Sequence, residues 1–271
     1  MTFIDKVLAA QEKKDSWLCV GLDPSPELMP PGVDLATFGR QIIEATADFT
    51  CAYKFNLMFY LAYSLDGLQA LYETLADVPH DIPVILDAKF GDISYTAEHY
   101  AKAAFGVLGA DAVTITPYVG MDAVTPLLTY PDRMVFVVVR SANTTGNDFQ
   151  LWPSERAPLY RFVTAQLNTL ARQYPNQIGL IVAATQPHDL ALIRSWAPNL
   201  PFLIPGIGVQ QGDLNTAVQH GVSRTGIGPL IGVGRAILYA SQNADFASAA
   251  REVARDWVSQ IRAAREQFME A

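Results

Sequence analysis

Ile82-Pro83-Val84-Ile85-Leu86-Asp87-Ala88-Lys89-Phe90-Gly91-Asp92-Ile93 sets an apolar run directly against a cluster of charges. The run at 82–86 is continuous rather than alternating, the pattern of a parallel strand covered on both faces. Asp87 and Lys89 stand two apart at its C-terminal end, so on a strand they point the same way while Ala88 points to the opposite face. Gly91 lets the chain turn, and Asp92 begins the loop into a helix. An aspartate and a lysine together in a core are costly to desolvate. The Asp-x-Lys-x-x-Asp spacing therefore reads either as a structural ion pair with Asp92 capping the helix, or as a site whose chemistry needs paired charges.

Seven similar runs accompany it, at residues 18–22, 49–55, 112–116, 134–139, 178–183, 202–204 and 222–227. Helical periodicity fills the intervals. Ala97, Tyr100, Ala101, Ala104 and Leu108 share one stripe; Phe246, Ala250, Val253, Trp257, Ile261 and Phe268 repeat the pattern and predict a helix over 245–268. A first helix near 3–11 precedes the first run, where it is placed to cap a barrel bottom. Eight strands alternating with helices over 271 residues match a single-domain (β/α)8 TIM barrel spanning 1–271. An open, doubly wound sheet shares the alternation. The polar residues that follow the runs favour the barrel, because Asp23, Lys54, Asp87, Lys89, Ser141, Gln210 and Arg235 all fall at strand C-terminal ends, where barrel enzymes hold their chemistry.

Composition narrows the function. Hydrophobic residues are 50% of the chain, enough for a large core, and Lys plus Arg number 19 against 27 Asp plus Glu, a net charge of −8. No basic run exceeds two residues, which argues against a nucleic-acid partner, although a local cluster can still grip a small anion. The apolar runs fall far short of the roughly 18 residues that a membrane span needs, and the N-terminus has no apolar signal core. Cys19 and Cys51 lie inside apolar runs with no CxxC spacing, as buried thiols of a reducing cytoplasm do. His80, His99, His188 and His220 show no metal-ligand spacing, and no nucleophile elbow is present.

A second constellation suits an anion. Pro205-Gly206-Ile207-Gly208-Val209-Gln210-Gln211-Gly212-Asp213 follows the seventh run, and Gly226-Ile227-Gly228 and Gly232-Val233-Gly234-Arg235 are read as following the eighth. Loops after strands seven and eight are where barrels commonly hold phosphate. Glycines admit backbone N–H groups to the anion, Gln210 donates from its amide, and Arg235 offers a bidentate fork. Neither run matches a dinucleotide fingerprint or a P-loop. Lys54, in Tyr53-Lys54-Phe55-Asn56, adds a cation to the first constellation and Asp23, in Gly21-Leu22-Asp23-Pro24, an anion. Taken alone, a barrel lysine also suits a Schiff base, and an aspartate before proline a turn.

Together these segments resemble the orotidine 5′-phosphate decarboxylase family, in its longer bacterial subgroup. The resemblance rests on Asp87-Ala88-Lys89-Phe90-Gly91-Asp92-Ile93 with Thr96, on Gly21-Leu22-Asp23-Pro24, on Lys54-Phe55-Asn56, and on Pro205-Gly206-Ile207-Gly208-Val209-Gln210 followed by Gly234-Arg235. It implies a homodimeric barrel acting on orotidine 5′-monophosphate without metal or organic cofactor. It implies that Asp23, Lys54 and Asn56 hold the ribose, that Lys54, Asp87, Lys89 and a second chain's Asp92 form an alternating charge array, and that Ile93 and Thr96 cross the dimer with Asp92. Pro205, Gln210, Gly234 and Arg235 fall to the phosphate side. A serine or threonine after strand five meets the pyrimidine in the family; here Arg140-Ser141-Ala142-Asn143 offers Ser141 in one alignment and Ala142 in another. Gln211 stands where the family commonly has glycine. The competing functions are a related barrel acting on a sugar phosphate, as decarboxylase or aldolase, and an inactive phosphate-binding barrel.

Overall fold

A computed structural model describes residues 1–154 and 156–270, the side chains of 269 and 270 excepted. Eight strands close into a parallel barrel in sequence order: β1 (Leu18–Leu22), β2 (Ala52–Asn56), β3 (Val84–Phe90), β4 (Ala112–Ile115), β5 (Met134–Arg140), β6 (Ile178–Val182), β7 (Phe202–Ile204) and β8 (Leu230–Val233), which pairs back to β1. Closure excludes the open sheet. The helices are α1 (Phe3–Lys14), α2 (Leu35–Thr46), α3 (Met58–Leu61), α4 (Ser64–Ala76), α5 (Ser94–Ala101), α6 (Asn147–Gln150), α7 (Leu159–Gln173), α8 (Pro187–Trp196), α9 (Leu214–Gly221), α10 (Arg235–Leu238) and α11 (Phe246–Glu270).

The two-residue period of each strand sorts the core into two layers. Leu18, Val20, Leu22, Tyr53, Phe55, Val113, Val135 and Ile231 pack outward under the helices. Cys19, Ala52, Ile85, Ala112, Met134, Phe136, Ile181 and Leu203 fill the barrel interior, where they meet Phe3, Ile4, Val7 and Ala10 of α1. That helix closes one end of the interior cluster. A capping box between Thr2 and Asp5 starts it, and Phe3 packs edge-on to Phe136 with ring centroids 5.6 Å apart. Above the apolar layers the inward positions turn polar, with Lys54 on β2, Asp87 on β3 and Thr114 on β4. Gly21 on β1 adjoins the Lys54 stem, and a Cβ there would meet Lys54 Cε at an ordinary contact distance of 3.6 Å.

Three expectations need correction. The eighth strand is not residues 222–227. There Ser223 Oγ accepts from the N–H of Ile227, Gly226 takes φ +85°, and the segment closes as a tight loop; the strand begins only after Pro229, so Gly232 and Val233 belong to it. The stripe after β3 stays buried at Ala97, Ala101 and Ala104, but the helix widens to π geometry over Lys102–Val107. In α11 Phe246, Ala250 and Ile261 are buried, whereas Phe268 lies exposed beyond the end of the packed face. Among the described residues no helix is long and apolar enough to cross a membrane.

Candidate active site

The charged residues of the first three strands form one continuous chain of contacts at the C-terminal mouth. Lys54 Nζ lies 3.1 Å from Asp23 Oδ1 and 3.1 Å from Asp87 Oδ2. Lys89 Nζ lies 2.6 Å from Asp87 Oδ1. Asp23 also accepts from the backbone N–H of Asn56 at 3.1 Å, and Asn56 Oδ1 accepts from the N–H of Met58, which starts α3. The signs alternate along Asp23, Lys54, Asp87 and Lys89, so each buried charge has an opposite neighbour.

Burial and pairing pull in opposite directions here, and pairing wins. Desolvation alone lowers an ammonium, but Asp23 and Asp87 beside Lys54 hold it above its ordinary value. Desolvation likewise raises a carboxyl, yet Lys54 and Lys89 hold Asp87 well below the usual carboxylate range. Cys19, deeper in the barrel, has its thiol pushed up to about 12 by burial and stays neutral.

The Asp87–Lys89 pairing is not the simple strand alternation that the spacing suggests. Lys89 has φ +49°, a left-handed conformation that costs a non-glycine residue about 1–2 kcal/mol. The ladder between β3 and β4 slips at the same point: four steps from Leu86 to Phe90 face two from Val113 to Ile115. Gly91, too, serves another purpose than a turn, because a Cβ there would lie 2.6 Å from Thr116 Cγ2. Phe90 then stacks on Tyr100 of α5 at 4.1 Å, docking the helix on the strand end.

A cavity of about 160 Å³ opens beside this chain, walled by Asp23, Lys54, Pro205, Gln210, Gly234 and Arg235 among others. The loop after β7 is shaped by Gly206 at φ +101°, Gly208 at φ +88° and Gln211 at φ +56°. Gln211 thus occupies a left-handed position at the place where the resembling family commonly has glycine. Gly234 opens α10, with Arg235 its first residue. Among the described residues Arg235 is exposed and makes no ion pair, and it lines the same cavity as Asp23 and Lys54. A larger cleft of about 780 Å³ lies at the opposite end of the barrel, but among the described residues no carboxylate, lysine, histidine or cysteine lines it.

Asp92, Ile93 and Thr96 stand apart. Asp92 Oδ1 accepts from the N–H of Ile93 at 2.7 Å, and α5 begins at Ser94 with no side-chain cap. Among the described residues Asp92 pairs with no lysine, so it neither caps the helix nor joins its own chain's array. Ser141 is also off the cavity wall: its hydroxyl accepts from Gln150 Nε2 at 2.9 Å and its N–H donates to Gln150 Oε1 at 3.1 Å.

The sequence reading passed over the residues that brace the site. Thr114 Oγ1 contacts Asp87 and the Lys89 backbone. Tyr239 reaches Asp23, and buried Arg140 binds Asp189, Gln150, Asn147 and Gln186. Arg140 does carry a signal, a guanidinium ending an apolar strand; the other two look like ordinary core residues.

Fold and site together define a (β/α)8 barrel enzyme with paired charges on the first three strands and a glycine-rich loop after the seventh. The comparisons agree. The family model described as orotidine 5′-phosphate decarboxylase / HUMPS family matches residues 16–252. A relative from Cupriavidus necator named orotidine 5′-phosphate decarboxylase is 45% identical over 263 residues, covering 94% of this chain and 95% of its own. A solved chain from Toxoplasma gondii superposes with TM-score 0.90 at 35% identity, covering 100% of this chain and 99% of that one. The OMP decarboxylase of Leishmania donovani does so with TM-score 0.84 at 36% identity, covering 98% and 99%. The chain belongs to the orotidine 5′-phosphate decarboxylase / HUMPS family.

Proposed function

We propose that this chain decarboxylates orotidine 5′-monophosphate to uridine 5′-monophosphate, a step of pyrimidine biosynthesis, in the cytoplasm. The observation that carries the reading is the alternating Asp23–Lys54–Asp87–Lys89 chain, buried at Asp87 and open to solvent at Lys89, whose first two members line one cavity with Arg235, a cation without an ion pair among the described residues. The array suits a reaction at carbon, and the arginine suits the phosphate of the same small molecule.

In this mechanism the bond from C6 to the carboxylate breaks, CO2 leaves, and the electron pair stays on C6. The Lys89 ammonium stabilises that charge and then gives C6 a proton, which the amine recovers from solvent. An ammonium fixed in place before the reaction pays no reorganisation cost when the carbanion forms. Asp87 holds Lys89, and its own charge faces the departing carboxylate, so their repulsion is relieved as CO2 leaves. Asp23, Lys54 and Asn56 hold the ribose hydroxyls. Gln210 and Arg235, with Pro205 and Gly234 shaping the wall, grip the phosphate, whose binding energy aligns the reacting end. The pyrimidine contact falls to Ser141 or to its neighbour Ala142; the Ser141 oxygen accepts from Gln150, which leaves its hydroxyl hydrogen for a pyrimidine acceptor.

The site is completed by a second copy of the chain. Asp92, with Ile93 and Thr96, crosses to the neighbouring barrel. Exposed Ile93, Tyr95, Tyr118 and Val119 supply the apolar surface such an interface needs. A two-fold axis makes the donation reciprocal.

The test is the ultraviolet absorbance of orotidine 5′-monophosphate on mixing with the protein in the presence of a chelator. Loss of the substrate absorbance with formation of uridine 5′-monophosphate supports the reading. Unchanged absorbance overturns it, and turnover of a sugar phosphate that the chelator abolishes assigns the alternative.

A further inference from the structure

The strand ladder fails where the charges of the site are densest. Between the Leu86–Val113 and Phe90–Ile115 pairs, β3 carries three residues, Asp87, Ala88 and Lys89, against the single Thr114 of β4. A bulge of this kind takes backbone groups out of the ladder and leaves them needing other partners. The N–H of Lys89 is one such group. It donates to Thr114 Oγ1 at 2.9 Å, so a side chain replaces the missing ladder carbonyl.

The same hydroxyl has one hydrogen to give, and it goes to Asp87 Oδ1 at 2.7 Å. That oxygen also receives Lys89 Nζ at 2.6 Å, while Oδ2 faces Lys54 Nζ at 3.1 Å. Two lysines flank one carboxylate, and its two oxygens are equivalent, so what needs fixing is the plane of the group. Thr114 fixes it, because a carboxylate rotated by part of a turn about its last torsion loses the hydroxyl. Thr114 is fully buried inside the barrel, so water offers no substitute.

We propose that Thr114 is a positioning residue for the decarboxylation, holding the Lys89 backbone in its left-handed bend and the Asp87 carboxylate in one orientation through a single hydroxyl. The proposal rests on the assignment of Lys89 and Asp87 as the reacting pair. Its consequence is specific: loss of the hydroxyl misplaces the Lys89 ammonium relative to C6 while leaving the distant phosphate grip untouched. The cost falls on kcat rather than on KM.

The test compares Thr114→Val, which keeps shape and loses the hydroxyl, with Thr114→Ser, which keeps the hydroxyl and loses the methyl. For each, kcat and KM for orotidine 5′-monophosphate are measured together with the Kd of uridine 5′-monophosphate. The expected result is a fall in kcat of about 10- to 100-fold for the valine variant, with KM and Kd within about threefold of the parent. The serine variant returns kcat to within about threefold. If the valine variant does not accumulate as folded protein, Thr114→Cys replaces it, since a thiol matches serine in shape but is a poor hydrogen-bonding group. A kcat retained without the hydroxyl, or a serine variant as impaired as the other, overturns the proposal. A parent protein inactive toward orotidine 5′-monophosphate instead overturns the assignment of the reaction.

Discussion

The hydroxyl of Tyr239 donates to the backbone carbonyl of Asp23 at 3.0 Å and accepts from the N–H of Ser25 at 2.7 Å. Tyr239 follows the short helix whose first residue is Arg235, so one phenol ties the Arg235 side of the cavity to the aspartate that begins the charge array. Burial pushes this phenol up to about 12, which keeps it a donor. Tyr239→Phe leaves a carbonyl and an N–H without this partner, and the expected loss is about 1 kcal/mol of stability. Turnover should weaken severalfold in both kcat and KM, because Asp23 and Arg235 are no longer held to one spacing. Chemical denaturation and steady-state kinetics check both effects.

Stability should respond to pH through the paired charges. The Asp87 carboxyl is held below its ordinary 3.8, so its contribution is fully present above about pH 4 and is lost as the pH falls further. Lys54 is held above its ordinary 10.5, so its contribution is complete below that value and is lost only as the pH rises beyond it, through the higher folded-state value. Asp87→Asn leaves Lys54 under-compensated and should cost about 3–5 kcal/mol at neutral pH. Denaturation at a series of pH values should show that gap narrowing from pH 4 toward pH 2; a constant gap contradicts the pairing.

Arg235→Ala should act through the phosphate. KM for orotidine 5′-monophosphate rises strongly, and kcat falls to the extent that the grip aligns the substrate. Turnover of orotidine, which lacks the phosphate, stays nearly unchanged. Equal losses with both substrates would show that Arg235 does not meet the phosphate.

Much of this was legible in the chain because it depends on local pattern. Continuous apolar runs marked seven of the eight strands, and the glycines around Gln210 marked a loop of unusual backbone shape. The eighth strand was missed because Val222, Ile227 and the Leu230–Val233 strand are all apolar, and only the Ser223 hydrogen bonds and Pro229 decide which segment pairs. Asp87 and Lys89 were found as neighbours by counting two along a strand, whereas their contact depends on a bulge and a left-handed Lys89. Thr114 and Tyr239 left no trace, since a threonine on one strand and a tyrosine after a distant helix become site residues only when the barrel closes.

Subunit complementation tests the shared site. Asp92→Ala and Lys54→Ala are each expected to be inactive. After the two are mixed and exchange is demonstrated, a heterodimer holds one site with both lesions and one with neither, so activity returns. If Asp92 serves its own chain, every site keeps a lesion and no activity appears.

The most direct test of the whole account is the kcat of Lys89→Ala on orotidine 5′-monophosphate, with circular dichroism confirming the fold. The account predicts a folded protein whose kcat is lower by about three orders of magnitude or more, roughly 4 kcal/mol of barrier. A folded variant that turns over within a few-fold of the parent would contradict it, because the group assigned to stabilise and protonate C6 would then do neither.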